Sequence, residues 1–120
     1  MDNPVLCDSE FRLCDIVWEQ EPLGSGQLVQ QAAQRLGWKK STTYTVLKKL
    51  CQRGVLQNDQ AVVKALVKRE QVQRAESRQL LQKAFGGSLP RFFNAFMGDR
   101  KLSAAEAEEL KQLIDSYREG

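Results

Sequence analysis

Between Asp8 and Val67 the spacing of apolar residues changes once, from helical to alternating, and that order admits few folds. Phe11, Cys14, Val17 and Trp18 recur at helical spacing, which predicts an amphipathic helix over Asp8 to Gln20 that ends before Pro22. Gly24-Ser25-Gly26 breaks the chain, with Ser25 as the expected N-cap. Leu28, Val29, Ala32, Ala33 and Leu36 then mark a second helix stopped by Gly37. A third helix is predicted from about Lys40 to Arg53, with Thr43, Val46, Leu47, Leu50 and Cys51 on one side and Gly54 as its stop. Val55-Leu56-Gln57 and the run from Val62 to Val67 favour β structure, and Asn58-Asp59-Gln60 between them suits a tight turn. Three helices followed directly by a hairpin is the order of a winged helix-turn-helix, the hairpin being the wing.

The remaining chain is helical in pattern but has no sheet of its own to cover it. Val72, Ala75, Leu80, Leu81, Ala84 and Phe85 punctuate a polar helix from about Arg69 to Phe85, closed by Gly86-Gly87. Ser88-Leu89-Pro90 reads as a hinge or a helix start, and Phe92, Phe93, Phe96 and Met97 follow within six residues, a large apolar load for so short a stretch. Ser103 to Glu106 is a capping-box sequence, and Ala107, Leu110, Leu113, Ile114 and Tyr117 form the stripe of a last helix. The fold class is therefore mainly α: a winged-helix domain over residues 1–68, then a helical dimerisation region over 69–120. Pairing with a second copy covers the C-terminal stripes more economically than folding back onto the winged domain, two-fold homodimers being the commonest assemblies. The residues expected at that interface are Leu81, Phe85, Phe92, Phe93, Phe96, Leu110, Ile114 and Tyr117.

Composition narrows the function classes. The chain has no histidine, which removes the commonest general base, and no glycine-rich phosphate loop; both argue against an enzyme. No catalytic residue is assigned, and no cofactor or metal is expected. Cys7, Cys14 and Cys51 have no metal-ligand or disulfide spacing and read as reduced apolar fillers. The N-terminus has no signal sequence or membrane span, so a cytoplasmic location without membrane association is expected. Trp18 and Trp38 read as anchors of the core and of the turn before the third helix.

A net charge of +3 permits an anionic partner without requiring one, so distribution decides. On the third helix Ser41, Thr45, Lys48 and Gln52 lie opposite the apolar stripe, flanked by Thr42 and Lys49 on one side and Tyr44 on the other, with no acid among them. Such a face meets base edges and phosphates in a major groove without like-charge repulsion. Lys39, Lys40 and Arg53 add charge at its ends, and Lys64, Lys68 and Arg69 extend it past the wing. Tyr44 either stacks on the sugar-phosphate edge or packs on the domain. The competing reading is a winged-helix module whose stripes serve a protein partner without DNA. It differs in lacking salt-sensitive binding and preference for one duplex.

The chain also resembles the BlaI/MecI-type penicillinase repressors. Leu6-Cys7-Asp8-Ser9-Glu10-Phe11 through Ile16-Val17-Trp18 is similar to the family's opening helix, and Trp38, Thr42, Thr45-Val46-Leu47 and Leu50 through Gly54-Val55-Leu56 to its recognition helix and exit into the wing. The stretch from Phe92-Phe93-Asn94-Ala95-Phe96 to Leu102-Ser103-Ala104-Ala105-Glu106-Ala107-Glu108-Glu109-Leu110 resembles its dimerisation region. The resemblance implies a homodimer that binds a palindromic promoter operator in double-stranded DNA and represses transcription until a signal releases it. Carried over, Ser41, Thr42, Tyr44, Thr45 and Lys48 face DNA; Ser41, Thr42 and Thr45 are expected to read bases, and Lys40, Lys48, Lys49 and Lys64 to hold phosphates. It implies too an upstream sensor protease, with the regulatory cleavage near Ala95-Phe96. Cys7 stands where many relatives have a serine cap, which shifts capping to Asp8. The hairpin is shorter than the family's and lacks its basic, aromatic tip, so weaker wing contacts are expected. The C-terminal cysteine cluster of the copper-responsive relatives is absent, which disfavours copper sensing.

Overall fold

The computed structural model describes residues 4–119. The chain divides into two compact units that meet between Leu80 and Leu81.

In the first unit α1 (Asp8–Gln20), α2 (Ser25–Leu36) and α3 (Lys40–Gln52) pack on one another and on a small sheet. The helices form where the apolar periodicity predicts them. Leu13, Ile16 and Val17 of α1, Leu28 and Ala32 of α2, and Leu47 and Leu50 of α3 are buried together. Each buried leucine or isoleucine contributes about 1.5–3 kcal/mol of transfer free energy. Ala33, on the expected stripe of α2, is exposed instead. Val72 of α4 (Arg69–Phe85) completes this core.

The helix starts differ from expectation at two places. Cys7, not Asp8, is the N-cap residue of α1; its N–H donates to Glu10 Oε1 at 2.9 Å, while Asp8 lies inside the helix and pairs with Arg12 at 3.1 Å. Ser25 is not the cap of α2 but its first residue, buried, with Gly24 as N-cap and the Gln27 side chain accepting the Gly24 N–H at 2.9 Å. The turn into α3 follows expectation: Gly37 adopts φ +70°, and the Gly37 and Trp38 N–H groups return to the carbonyls of Ala33 and Ala32.

The sheet has three antiparallel strands in the order β1-β3-β2. The two expected strands are β2 (Leu56–Asp59) and β3 (Val62–Ala65); β1 (Leu23–Gly24), too short to leave a periodic signature, pairs Leu23 with Val63 and Gly24 with Val62. The turn is also displaced. Asn58 and Asp59 belong to β2, opposite Val63 and Val62, and the two-residue connection is Gln60-Ala61, both at positive φ. Only Val63 of β3 is fully buried, so the wing contributes one side chain to the core from that strand.

The second unit holds the end of α4, α5 (Leu89–Met97) and α6 (Ala104–Tyr117). Ser88 caps α5, its Oγ accepting the Arg91 N–H at 3.2 Å with Pro90 in the first turn, so this segment is a helix start. Ser103 caps α6 in the same way through Glu106 N–H at 3.1 Å. Phe85 meets Phe92 edge to face at 5.5 Å, and Phe92 stacks on Phe96 at 5.9 Å. No described residue of α5 or α6 is buried.

Candidate nucleic-acid interface

The two faces of α3 separate as its sequence requires. Thr43, Leu47 and Leu50 are buried, whereas Ser41, Thr42, Thr45, Lys48, Lys49 and Gln52 are exposed. Tyr44 is 36% exposed; its hydroxyl donates to Ser25 Oγ at 3.4 Å and Lys40 Nζ lies 6.0 Å from its ring centre, so the ring packs on the start of α2 with one edge open. Thr45 Oγ1 donates to the Ser41 carbonyl at 2.9 Å. That bond occupies the hydroxyl proton and leaves oxygen lone pairs and a methyl group to meet a partner, a combination suited to base amino groups and the thymine methyl.

The N-terminus of α3 begins at Lys39, which makes no side-chain cap, and no acid occupies the first turn. The first helical N–H groups have no intrahelical acceptor, and the positive end of the helix dipole favours an anion there. In the sequence no carboxylate occurs between Glu21 and Asp59, so both α2 and α3 are free of acid.

Four of the six arginines of the first unit are engaged by acids, Arg74 and Arg78 having no ion pair among the described residues. In the first unit Arg12, Arg35, Arg53 and Arg69 each pair with a carboxylate, of Asp8, Glu19, Glu10 and Asp15 respectively. Lys39, Lys40, Lys48, Lys64 and Lys68 have no ion-pair partner among the described residues. Lys49, 63% exposed, reaches only 4.0 Å from Glu10. Lys39, Lys40 and Lys48 lie at the start of and along α3, Lys64 is exposed on β3 opposite Gln57, and Lys68 precedes α4.

Two cations expected in this stripe are elsewhere engaged. Arg53 donates through Nη1 to both Glu10 oxygens at 2.9 Å. Arg69 bonds Asp15 at 2.6 Å, with its guanidinium 5.5 Å from the Trp18 ring. Trp18 itself is an anchor, donating from Nε1 to the Val67 carbonyl at 2.9 Å. Glu10 is the residue that sequence reasoning missed. Its position in the first turn signals a cap, but its partner Arg53 lies 43 residues away and no local pattern announces it. Burial pushes the Glu10 carboxyl up, and the hydrogen bonds from Cys7 and Arg53 outweigh that effect and hold it below the ordinary glutamate range.

Two of the three cysteines are at least partly shielded from solvent. Burial pushes the Cys14 thiol up to about 12 and raises that of Cys51, while Cys7 is exposed at the helix cap, not a core filler. No group of three metal-ligating side chains occurs among the described residues, and no helix there is long and apolar enough to cross a membrane.

The penicillinase repressor family model matches residues 6–116. The chain belongs to the penicillinase repressor family. The penicillinase repressor of Bacillus licheniformis is 19% identical over 119 residues, an alignment that covers 96% of this chain and 93% of that relative. Penicillinase repressors are DNA-binding transcriptional repressors, not enzymes, and the winged helix-turn-helix followed by C-terminal helices accords with that family. Of the residues expected to join two copies of such a repressor, Leu81, Phe85, Phe92 and Leu110 are half-buried. Phe93, Phe96, Ile114 and Tyr117 are exposed, Tyr117 to 83%. Ala95 and Phe96 lie in the last turns of α5, so the bond between them is helical.

Proposed function

We propose that this repressor acts as a cytoplasmic homodimer on a palindromic promoter operator, with α3 of each copy in a major groove. Ser41, Thr42 and Thr45 read base edges, Tyr44 presents its open edge to the sugar-phosphate backbone, and Lys40, Lys48, Lys49 and Lys64 hold phosphates. The observation that carries this reading is the acid-free face of α3, where Lys40 and Lys48 lack ion-pair partners among the described residues and Lys49 is 63% exposed, while Arg53 at the helix end is engaged by Glu10. The exposed phenylalanines, Ile114 and Tyr117 of the second unit support dimerisation, because water is a poor partner for them in a lone copy. Relief of repression follows cleavage at Ala95-Phe96 on the signal of a sensor protease. Since a protease takes an extended segment, α5 must first unwind locally there.

Fluorescence anisotropy against the protein's own upstream promoter and a scrambled duplex tests the DNA reading. Four lysines from each of two copies predict a loss of roughly 10³–10⁵ in affinity between 50 and 200 mM salt, and a promoter preference of roughly 10³ or more. Equal, salt-insensitive binding to both duplexes would instead favour a protein-interaction module. An immunoblot that finds the chain intact throughout antibiotic induction would remove the proteolytic step.

A further inference from the structure

Arg53 ends α3 as its C-cap residue and is gripped from two sides. Its Nη1 donates to both oxygens of Glu10 at 2.9 Å, and its Nη2 donates to the Val5 carbonyl at 2.8 Å. Glu10, only 2% exposed, also accepts the Cys7 N–H. The neighbouring Leu6 N–H donates to Glu76 Oε1 of α4 at 3.2 Å. The N-terminal segment is thus fastened to the end of α3 on one side and to α4 on the other.

The rest of α3 is held by the apolar contacts of Thr43, Leu47 and Leu50 and by one long hydrogen bond, from the Tyr44 hydroxyl to Ser25 Oγ at 3.4 Å; these resist withdrawal from the core but define rotation and tilt less firmly than an ion pair does. A guanidinium held by a carboxylate through Nη1 and by a backbone carbonyl through Nη2 is directional and defines both. The leverage is large: Ser41 lies roughly 18 Å up the helix from Arg53, so a tilt of about 5° at that end moves it by about 1.5 Å. Hydrogen bonds to base edges do not survive such a shift, whereas flexible lysines follow a phosphate through it.

We infer that Glu10 and Arg53 are positioning residues for operator reading: without touching DNA, they hold α3 at the angle at which Ser41, Thr42 and Thr45 meet the bases. The inference rests on the operator reading above and adds a claim the contact residues do not make, that sequence choice depends on an ion pair on the far side of the helix end.

The test compares the full chain with Glu10→Gln and Arg53→Lys by anisotropy on promoter and scrambled duplexes over a salt series, with thermal melting in parallel. Expected is a drop of roughly tenfold or more in the promoter-to-scrambled ratio for both variants, the worth of about one base contact, at unchanged scrambled affinity and salt slope. Arg53→Lys keeps the cation and reads the same ratio should Glu10→Gln not fold. A lowered melting temperature with an unchanged ratio overturns the inference in favour of a purely structural pair. Tighter scrambled binding with a steeper salt slope in Glu10→Gln overturns it in favour of a phosphate-seeking Arg53. Loss of promoter preference in the unaltered chain would overturn the operator reading itself, and this inference with it.

Discussion

The Ala61 carbonyl accepts the Ser25 N–H at 2.8 Å, so the tip of the wing is fastened to the first residue of α2. That bond supplements the β1-β3 pairing of Gly24 with Val62. The wing is therefore joined to the helix-turn-helix at its tip as well as at its base, which fixes where Lys64 stands relative to α3.

The connection achieves this with unfavourable residues. Gln60 and Ala61 sit at φ +51° and +63°, the left-handed region that a two-residue hairpin turn demands and that Asn-Gly meets at least cost. The double substitution Gln60→Asn with Ala61→Gly is expected to stabilise the chain by about 0.5–1 kcal/mol, raising the melting temperature by a few degrees. The Ser25 bond uses only backbone atoms at Ala61 and survives the change. Thermal melting by circular dichroism checks it; an unchanged or lower midpoint would count against a strained turn.

This turn also shows where sequence reading stops. Long helices were legible because α1, α2 and α3 each repeat an apolar stripe over more than two turns, and the exposed face of α3 followed from the same periodicity. The two-residue β1 has no period to read, and the turn moved because Asn58 and Asp59, good turn formers, are held in β2 by their pairing with β3. The charge stripe was legible as a list of cations but not as a set of free ones. Arg53 and Arg69 look like Lys48 in the sequence, and only the folded chain brings Glu10 and Asp15 against them.

The Glu10 pair predicts an acid sensitivity with a definite sign. Its carboxyl is held below the ordinary glutamate range in the folded chain, so the stabilisation is fully present above the unfolded value of about 4.3 and is lost as pH falls through the lower folded value. Glu10→Ala is expected to cost about 2–3 kcal/mol near neutral pH, below the usual figure for a buried pair because Arg53 is 35% exposed. Urea titrations at pH 7 and pH 3 measure the gap between variant and parent. A gap that fails to narrow at pH 3 would exclude Glu10 as the source of the pH dependence.

For dimerisation, Ile114 is the informative position. It is 62% exposed on α6 and is not one of the rings that form the Phe85-Phe92-Phe96 series. Ile114→Asp places a charge in the expected interface of both copies, at a cost on the order of 2–3 kcal/mol each. Sedimentation equilibrium should show a monomer at micromolar concentration, with helicity retained and operator affinity reduced. A dimer of parental strength would move the interface off this face of α6.

On α3 itself, substitutions at Thr45 and Lys48 are expected to separate reading from holding. The Thr45 hydroxyl has spent its proton on the Ser41 carbonyl, which leaves lone pairs and a methyl group whose value depends on the base they face. Lys48 is a flexible, unpaired cation whose value depends only on a phosphate within reach. Thr45→Ala is therefore expected to cost about 1–3 kcal/mol on the preferred operator and little on a scrambled duplex. Lys48→Ala should weaken both alike and reduce the salt slope by about one for each copy bound. Anisotropy titrations over a salt series measure both quantities at once. Equal losses on the two duplexes for both variants would show that α3 contributes charge without choice, and would shift the search for base contacts to Ser41 and Thr42.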